Sequence, residues 1–349
     1  MQISDGKVGS RELLAVIIFL IGIKVSDITP DLLIARGKNA SWILSFLTCA
    51  YMLIPLYILL RLIKKHNTGL SDLFYSLAGR WGGALIIALL CVRMIGQTFI
   101  TSRSYVDIVN TLFFPLTPIP LLFTLLMLFS MLVAKRGFEA IARTSWLLFG
   151  LAMTIGTLLI ILTWRDAQWS FLFPIAGPGI KSLLWDGLTH TAIFGEVTLL
   201  AFFFPYVKSY GNFRSGTIIG YALAGFLMVL FHAWYVAIFD YPSVEYINYP
   251  YQQVTRTASF GLTPAHLEAL FLSVWIMGAV VHYAIYLYLI AYLFARVFKI
   301  HEFEPLIIPM AGLIVFLSSF PGNVIEISSA TEWVLTSSSW LFLCLPFLL

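Results

Sequence analysis

Residues Arg11–Arg36, RELLAVIIFLIGIKVSDITPDLLIAR, read as a membrane-spanning helix interrupted halfway. The apolar run from Leu13 to Val25 rises about 20 Å as an α-helix, short of a hydrocarbon core of roughly 30 Å, so the span has to continue past Lys24, Asp27 and Asp31. Thr29 and Pro30 have the character of N-cap and first helical residue of a second, short helix that Gly37 ends. Ionisable side chains and irregular backbone survive at membrane depth where they face a bundle interior or an aqueous cavity. A half-helix, a polar break over Gly22–Asp27 and another half-helix therefore predict a binding site in mid-membrane.

The rest of the chain agrees with that class. Over 349 residues it is 60% hydrophobic and 11% charged, with a mean hydropathy of +0.91, which excludes a soluble domain and specifies a polytopic protein of the lipid bilayer. A net charge of +4 gives no reason to expect a nucleic-acid partner. Cys49, Cys91 and Cys344 lie in apolar runs without CxxC or Cys/His spacing, so packing is expected of them, not metal or disulfide chemistry. The first apolar segment carries Glu12 and leads into Lys24, not into a cleavage site, so the N-terminus is expected to be retained.

Ten spans are predicted, at about 11–36, 41–63, 82–107, 117–134, 141–164, 184–207, 215–239, 266–295, 304–320 and 333–349. With a cytoplasmic N-terminus, the inner segments hold Lys7, Arg11, Arg61, Lys64, Lys65, Arg80, Lys135, Arg136, Arg143, Lys208, Arg214, Arg296 and Lys299. The outer ones hold only Arg36, Lys38, Arg165, Lys181 and Arg256. This obeys the positive-inside rule and places both termini inside.

The sixth span, LLWDGLTHTAIFGEVTLLAFFFPYV, repeats the anomaly of the first, with Gly195 and Glu196 at mid-depth and a break expected over Phe194–Glu196. Residues 11–164 and 184–349 then form two five-span halves of opposite orientation, each opening on an interrupted helix, the sequence pointer to a site at the bilayer midplane. On the third span Arg93, Gln97, Thr101 and Ser104 form one helical stripe that should face the bundle. Arg103 and Asp107 can pair with one another. Arg93 has no partner on its own helix, and Glu196 is the obvious counter-charge. His282 with Tyr286, and His232 with Tyr235, read as hydrogen-bonding histidines between helices. No Walker, HExxH or GxSxG motif and no metal-ligand rhythm is present, so no enzyme activity, metal or cofactor is expected.

Four stretches carry a family likeness: the Ser10-Arg11-Glu12 opening of span one, IFGE at Ile193–Glu196, YPYQQVTRTASFG at Tyr249–Gly261, and HLEALFLSVWIMG at His266–Gly278. In these the chain resembles the spore germination permease family, the B subunits of germinant receptors, within the amino acid/polyamine/organocation transporter superfamily. The resemblance implies an all-α integral membrane fold, a five-plus-five inverted repeat of ten helices with helices 1 and 6 broken. Permease relatives bind an amino acid carboxylate on exposed backbone amides at a position that corresponds here to Gly22, Ile23 and Lys24. Phe194, Gly195 and Glu196 at the second break, with Arg93 and Gln97 on the stripe, complete the expected ligand-binding set.

Transporting relatives have a small, glycine-rich break, whereas Ile23 and Lys24 are bulky and charged. The resemblance therefore implies a sensor that uses a transporter's pocket. It would bind a small germinant such as an L-amino acid from outside and signal to a larger A subunit and a lipoprotein C subunit in the spore inner membrane. The alternative is a proton-coupled amino acid permease with Glu196 as the carrier group. In this topology the second half-helices offer N-termini to a carboxylate and the first half-helices offer free carbonyls to an ammonium, so a zwitterion matches both.

Overall fold

A computed structural model describes residues 7–260, 263–264, 268–321 and 324–347. Gly261, His266 and Leu267 of the family-like stretches, and the last two residues of the tenth expected span, lie outside the described residues. The chain is almost wholly helical. Six segments among the described residues are long and apolar enough to cross a bilayer: Thr29–His66, Leu70–Leu112, Gly137–Leu162, Ile180–Tyr206, Tyr210–Phe239 and Glu268–Phe298. Shorter apolar helices run over Ile119–Ala134 and Glu304–Leu317.

In chain order the helices are α1 (Ser10–Leu20), α2 (Thr29–Gly37), α3 (Ser41–His66), α4 (Leu70–Leu112), α5 (Ile119–Ala134), α6 (Gly137–Leu162) and α7 (Ile180–Thr189). They continue as α8 (Ala192–Gly195), α9 (Tyr210–Phe239), α10 (Pro250–Thr257), α11 (Glu268–Phe298), α12 (Ile307–Leu317) and α13 (Val324–Cys344). After α10, Ser259–Phe260 and Thr263–Pro264 form a two-residue antiparallel pair. α4 begins before the expected third span because a separate helix leads into it, the two divided at Gly79, whose φ of 71° a side chain would resist. α13 begins well before residue 333, since its first turns carry Glu326, Thr331 and Glu332, which lower the hydropathy without breaking the helix.

The break expected over Gly22–Asp27 is where the sequence puts it. After α1, Gly22–Ser26 winds as a 3-10 turn in which Lys24 N bonds Ile21 O at 3.1 Å, and Asp27 is extended. Asp27, not Thr29, caps the second half: its Oδ1 accepts Thr29 N at 2.7 Å. The break expected over Phe194–Glu196 lies elsewhere. The α-helix is interrupted at His190–Thr191, resumes for one turn as α8 and tightens into a 3-10 helix over Glu196–Tyr206. Gly195 and Glu196, expected to be non-helical, have φ/ψ of −59/−26° and −63/−17°. Gly195 is small for another reason: a Cβ there would lie 2.3 Å from Phe342 Cδ2.

α1, the 3-10 helix Glu196–Tyr206 and α11 form the centre. From Val281 to Leu293 nearly every residue of α11 is buried, whichever way it points, as befits a helix enclosed on all sides. α9 approaches α1 through Gly216 and Gly220, four apart. A Cβ at the first would meet Ser10 O at 2.7 Å and at the second Ile17 Cδ1 at 2.8 Å. This is the small-residue contact by which membrane helices pack without a hydrophobic driving force.

Candidate functional site

The two interrupted spans meet at a buried ion cluster. Lys24 Nζ, released from helical register by the 3-10 turn, lies 3.0 Å from Glu196 Oε1 and donates a 3.0 Å hydrogen bond to Ile193 O. Glu196 is fully buried and the Lys24 side chain is 4% exposed. Arg93 Nη1 approaches the same carboxylate oxygen at 3.8 Å. The arginine is steered by Ser338 Oγ, which accepts from Nε at 2.9 Å, by Gln97 Oε1 at 3.4 Å from Nη2, and by the Phe342 ring, 4.7 Å from the guanidinium. Arg93 thus has a partner on its own helix after all, the neutral Gln97. Burying three charges is tolerable only because they are paired; Lys24 and Arg93 are also hydrogen-bonded, whereas the Glu196 oxygens are held by charge alone among the described residues.

From Glu196 toward Ser26 runs a column of aromatic side chains. Tyr286 and Tyr283 lie 6.2 Å apart, Tyr283 is edge-on to Tyr105 at 5.6 Å, and Tyr105 stacks on Trp275 at 4.9 Å. The hydroxyls of Tyr105, Tyr283 and Tyr286 lie beside Ser26, Thr101 and Glu196 respectively, yet complete no hydrogen bond among the described residues. Buried polar atoms of this kind are uncommon in native structures and call for a role. Ser26 is the hub at the column's far end: its Oγ accepts Trp275 Nε1 at 3.0 Å and its carbonyl accepts Gln252 Nε2 of α10 at 2.9 Å. In the loop before α10, Tyr249 N reaches Asp31 Oδ2 at 3.4 Å, and burial, with the Asp31 and Asp107 carboxylates near, pushes the Tyr249 phenol up to about 12.

The expected ligand set divides. Lys24, Arg93, Gln97 and Glu196 come together. Gly22 and Ile23 face the other way, onto an apolar cavity of about 310 Å³ between the break, α6, α9 and α11. The Phe194 ring lies edge-on to Tyr221 of α9 at 5.6 Å, and Gly195 makes room for Phe342. Gln97, Thr101 and Ser104 are buried, so the polar stripe does face the bundle. Arg103 Nε pairs with Asp107 at 3.1 Å. His282 Nδ1 donates to Phe19 O at 2.7 Å across helices, whereas His232 Nδ1 bonds Met228 O on its own helix. The sequence reading missed Tyr105, Trp275, Ser26, Gln252, Ser338 and Phe342. For the last two, the i, i+4 spacing on one helix was the available signal. Among the described residues no three His, Cys, Asp or Glu side chains gather as they would around a metal ion.

Residues 10–326 match a family model described as spore germination protein. The chain is 24% identical to spore germination protein KB of Bacillus subtilis (strain 168) over 323 residues, 89% of this chain and 84% of that protein. It is 26% identical to spore germination protein XB of Bacillus anthracis over 271 residues, 75% of this chain and 74% of that one. A polytopic helical chain matched by that model over nearly its whole length belongs to the spore germination protein family.

Proposed function

We propose that the protein is the nutrient-binding membrane subunit of a germinant receptor, which senses an L-amino acid from outside and passes a conformational signal to A and C partner subunits in the spore inner membrane. The observation that carries this is the buried Lys24–Glu196–Arg93 cluster where two interrupted spans meet, bordered by three unpaired tyrosine hydroxyls. Ionisable groups and orphaned hydroxyls at membrane depth mark a ligand pathway by default. In the proposed ligand set, Lys24, Arg93, Gln97 and Glu196 form the charged seat, and Gly22, Ile23, Phe194 and Gly195 frame it from the two breaks.

The same proposal includes ten spans in two inverted halves, 11–164 and 184–349. Its support is that helix contacts persist when the halves are exchanged: α1 packs on α6 as α8 packs on α13, α11 on α5 as α4 on α12, and α4 on α5 as α11 on α12. A sensor is favoured over a proton-coupled permease because the inner halves of the broken spans are fastened together. Val8 N bonds Tyr206 O at 2.8 Å and Lys208 N bonds Val8 O at 3.0 Å, and α1 is held against α9 at Gly216 and Gly220. A sensor needs only differential affinity between two conformations, not a completed transport cycle. The test is twofold. Spores lacking the protein should lose their response to the nutrient and regain it on complementation, and proteoliposomes should take up no amino acid under a proton gradient. Concentrative uptake would establish the permease instead.

A further inference from the structure

Five backbone acceptors at the two breaks, each a candidate for a ligand's ammonium, are already taken by side chains of the chain itself. Phe19 O accepts His282 Nδ1 at 2.7 Å, Ile23 O accepts Ser26 Oγ at 2.7 Å, Val25 O accepts Tyr235 Oη at 2.6 Å, and Ser26 O accepts Gln252 Nε2 at 2.9 Å. Ile193 O accepts Lys24 Nζ at 3.0 Å, and it differs from the others in having a carboxylate beside it: the same ammonium lies 3.0 Å from Glu196 Oε1. A carbonyl and a carboxylate converging on one point make a seat for a primary ammonium, and the seat is filled by a side chain of the span that forms the opposite break.

Resting on the reading of the protein as an amino acid sensor, we infer that Lys24 is a tethered stand-in for the ligand's ammonium, and that the amino acid binds by displacing it. The exchange conserves charge at Glu196, one ammonium for another. It frees Lys24 to join Arg93, already 3.8 Å from the same oxygen, in receiving the ligand's carboxylate. Both halves of the zwitterion are needed. An amine without a carboxylate would leave a displaced Lys24 buried without a counter-charge, which is costly, and a carboxylate without an amine has nothing with which to displace it. The same swap moves a residue of the first break relative to the sixth span, so recognition and conformational change are one event.

The test is chemical rescue of the full-length chain purified in detergent. Lys24→Ala deletes the three methylenes and ammonium that n-propylammonium reproduces, and Lys24→Gly deletes one carbon more. We expect K24A to melt below wild type, n-propylammonium to raise its Tm saturably toward the wild-type value, and n-propanol to do nothing. For K24G the best amine should lengthen to n-butylammonium. Wild type and Lys24→Met, in which the space is filled, should not respond to either amine. The inference is overturned if K24A shows no saturable shift, if wild type shifts equally, or if K24A stays unfolded with the amine present. These outcomes need no nutrient, so they separate this inference from the sensor reading. Rescue of K24A in a protein whose spores ignore all amino acids would leave the ammonium seat standing and would sink the sensor reading, and with it the amino acid as the seat's occupant.

Discussion

Replacing Glu196 by glutamine removes one charge and almost keeps the shape, and the geometry fixes what that should do. The carboxylate is fully buried, with Lys24 Nζ at 3.0 Å and Arg93 Nη1 at 3.8 Å from one oxygen. At an effective dielectric constant near 20 these separations correspond to attractions of roughly 5.5 and 4.4 kcal/mol. Desolvation of the three charges and repulsion between the two cations cancel much of that sum. Lys24 also keeps the Ile193 carbonyl, and Arg93 keeps Ser338, Gln97 and the Phe342 ring. The net loss should therefore sit toward the lower end of the ~3–5 kcal/mol typical of removing one partner from a buried pair. Thermal unfolding of the detergent-purified variant measures it directly, and the dose-response of spores to their nutrient measures the functional part. Glu196→Gln should melt earlier and shift half-maximal response to at least about tenfold higher nutrient, since about 1.4 kcal/mol corresponds to one decade. Wild-type stability would contradict the ion cluster. Normal assembly with an unchanged dose-response would remove Glu196 from the sensing site.

Gly195→Ala should destabilise by about 1–3 kcal/mol through overpacking, because its Cβ would be 2.3 Å from Phe342 Cδ2. Adding Phe342→Ala should recover part of the loss, and strict additivity of the two substitutions in thermal unfolding would show that they do not share the space. Topology can be read by thiol labelling after Cys344, the exposed native cysteine, is changed to serine. A cysteine at Lys135 should react only from the cytoplasmic face and one at Tyr246, 82% exposed, only from outside, and the reverse pattern would overturn the assigned orientation.

Why part of this was legible in the sequence and part was not has a physical basis at particular residues. A run too short for the bilayer followed by Lys24 and Asp27 allows one reading, a broken span, because neither charge nor length is negotiable in hydrocarbon. The same rule made Glu196 the counter-charge of Arg93 before any distance was known, since an unpartnered charge has nowhere else to go. Glycine carries no such constraint. At Gly195 the absent side chain clears a ring 147 positions later in the chain, not a bend in the backbone, and both needs look alike in one sequence. Tyrosine is equally ambiguous. Tyr105, Tyr283 and Tyr286 are fully enclosed, but the natural expectation for tyrosine in a membrane protein is the interface. α11, buried on every side, has no amphipathic stripe from which an inward face could be inferred. Ser338 and Phe342, which hold Arg93, stand some 245 residues from it, on a helix whose polar first turns hide its beginning. Charges in a low-dielectric interior announce their partners, whereas shape complementarity between distant apolar surfaces leaves no local trace. The ion cluster was therefore readable from the sequence, and the packing that aims it was not.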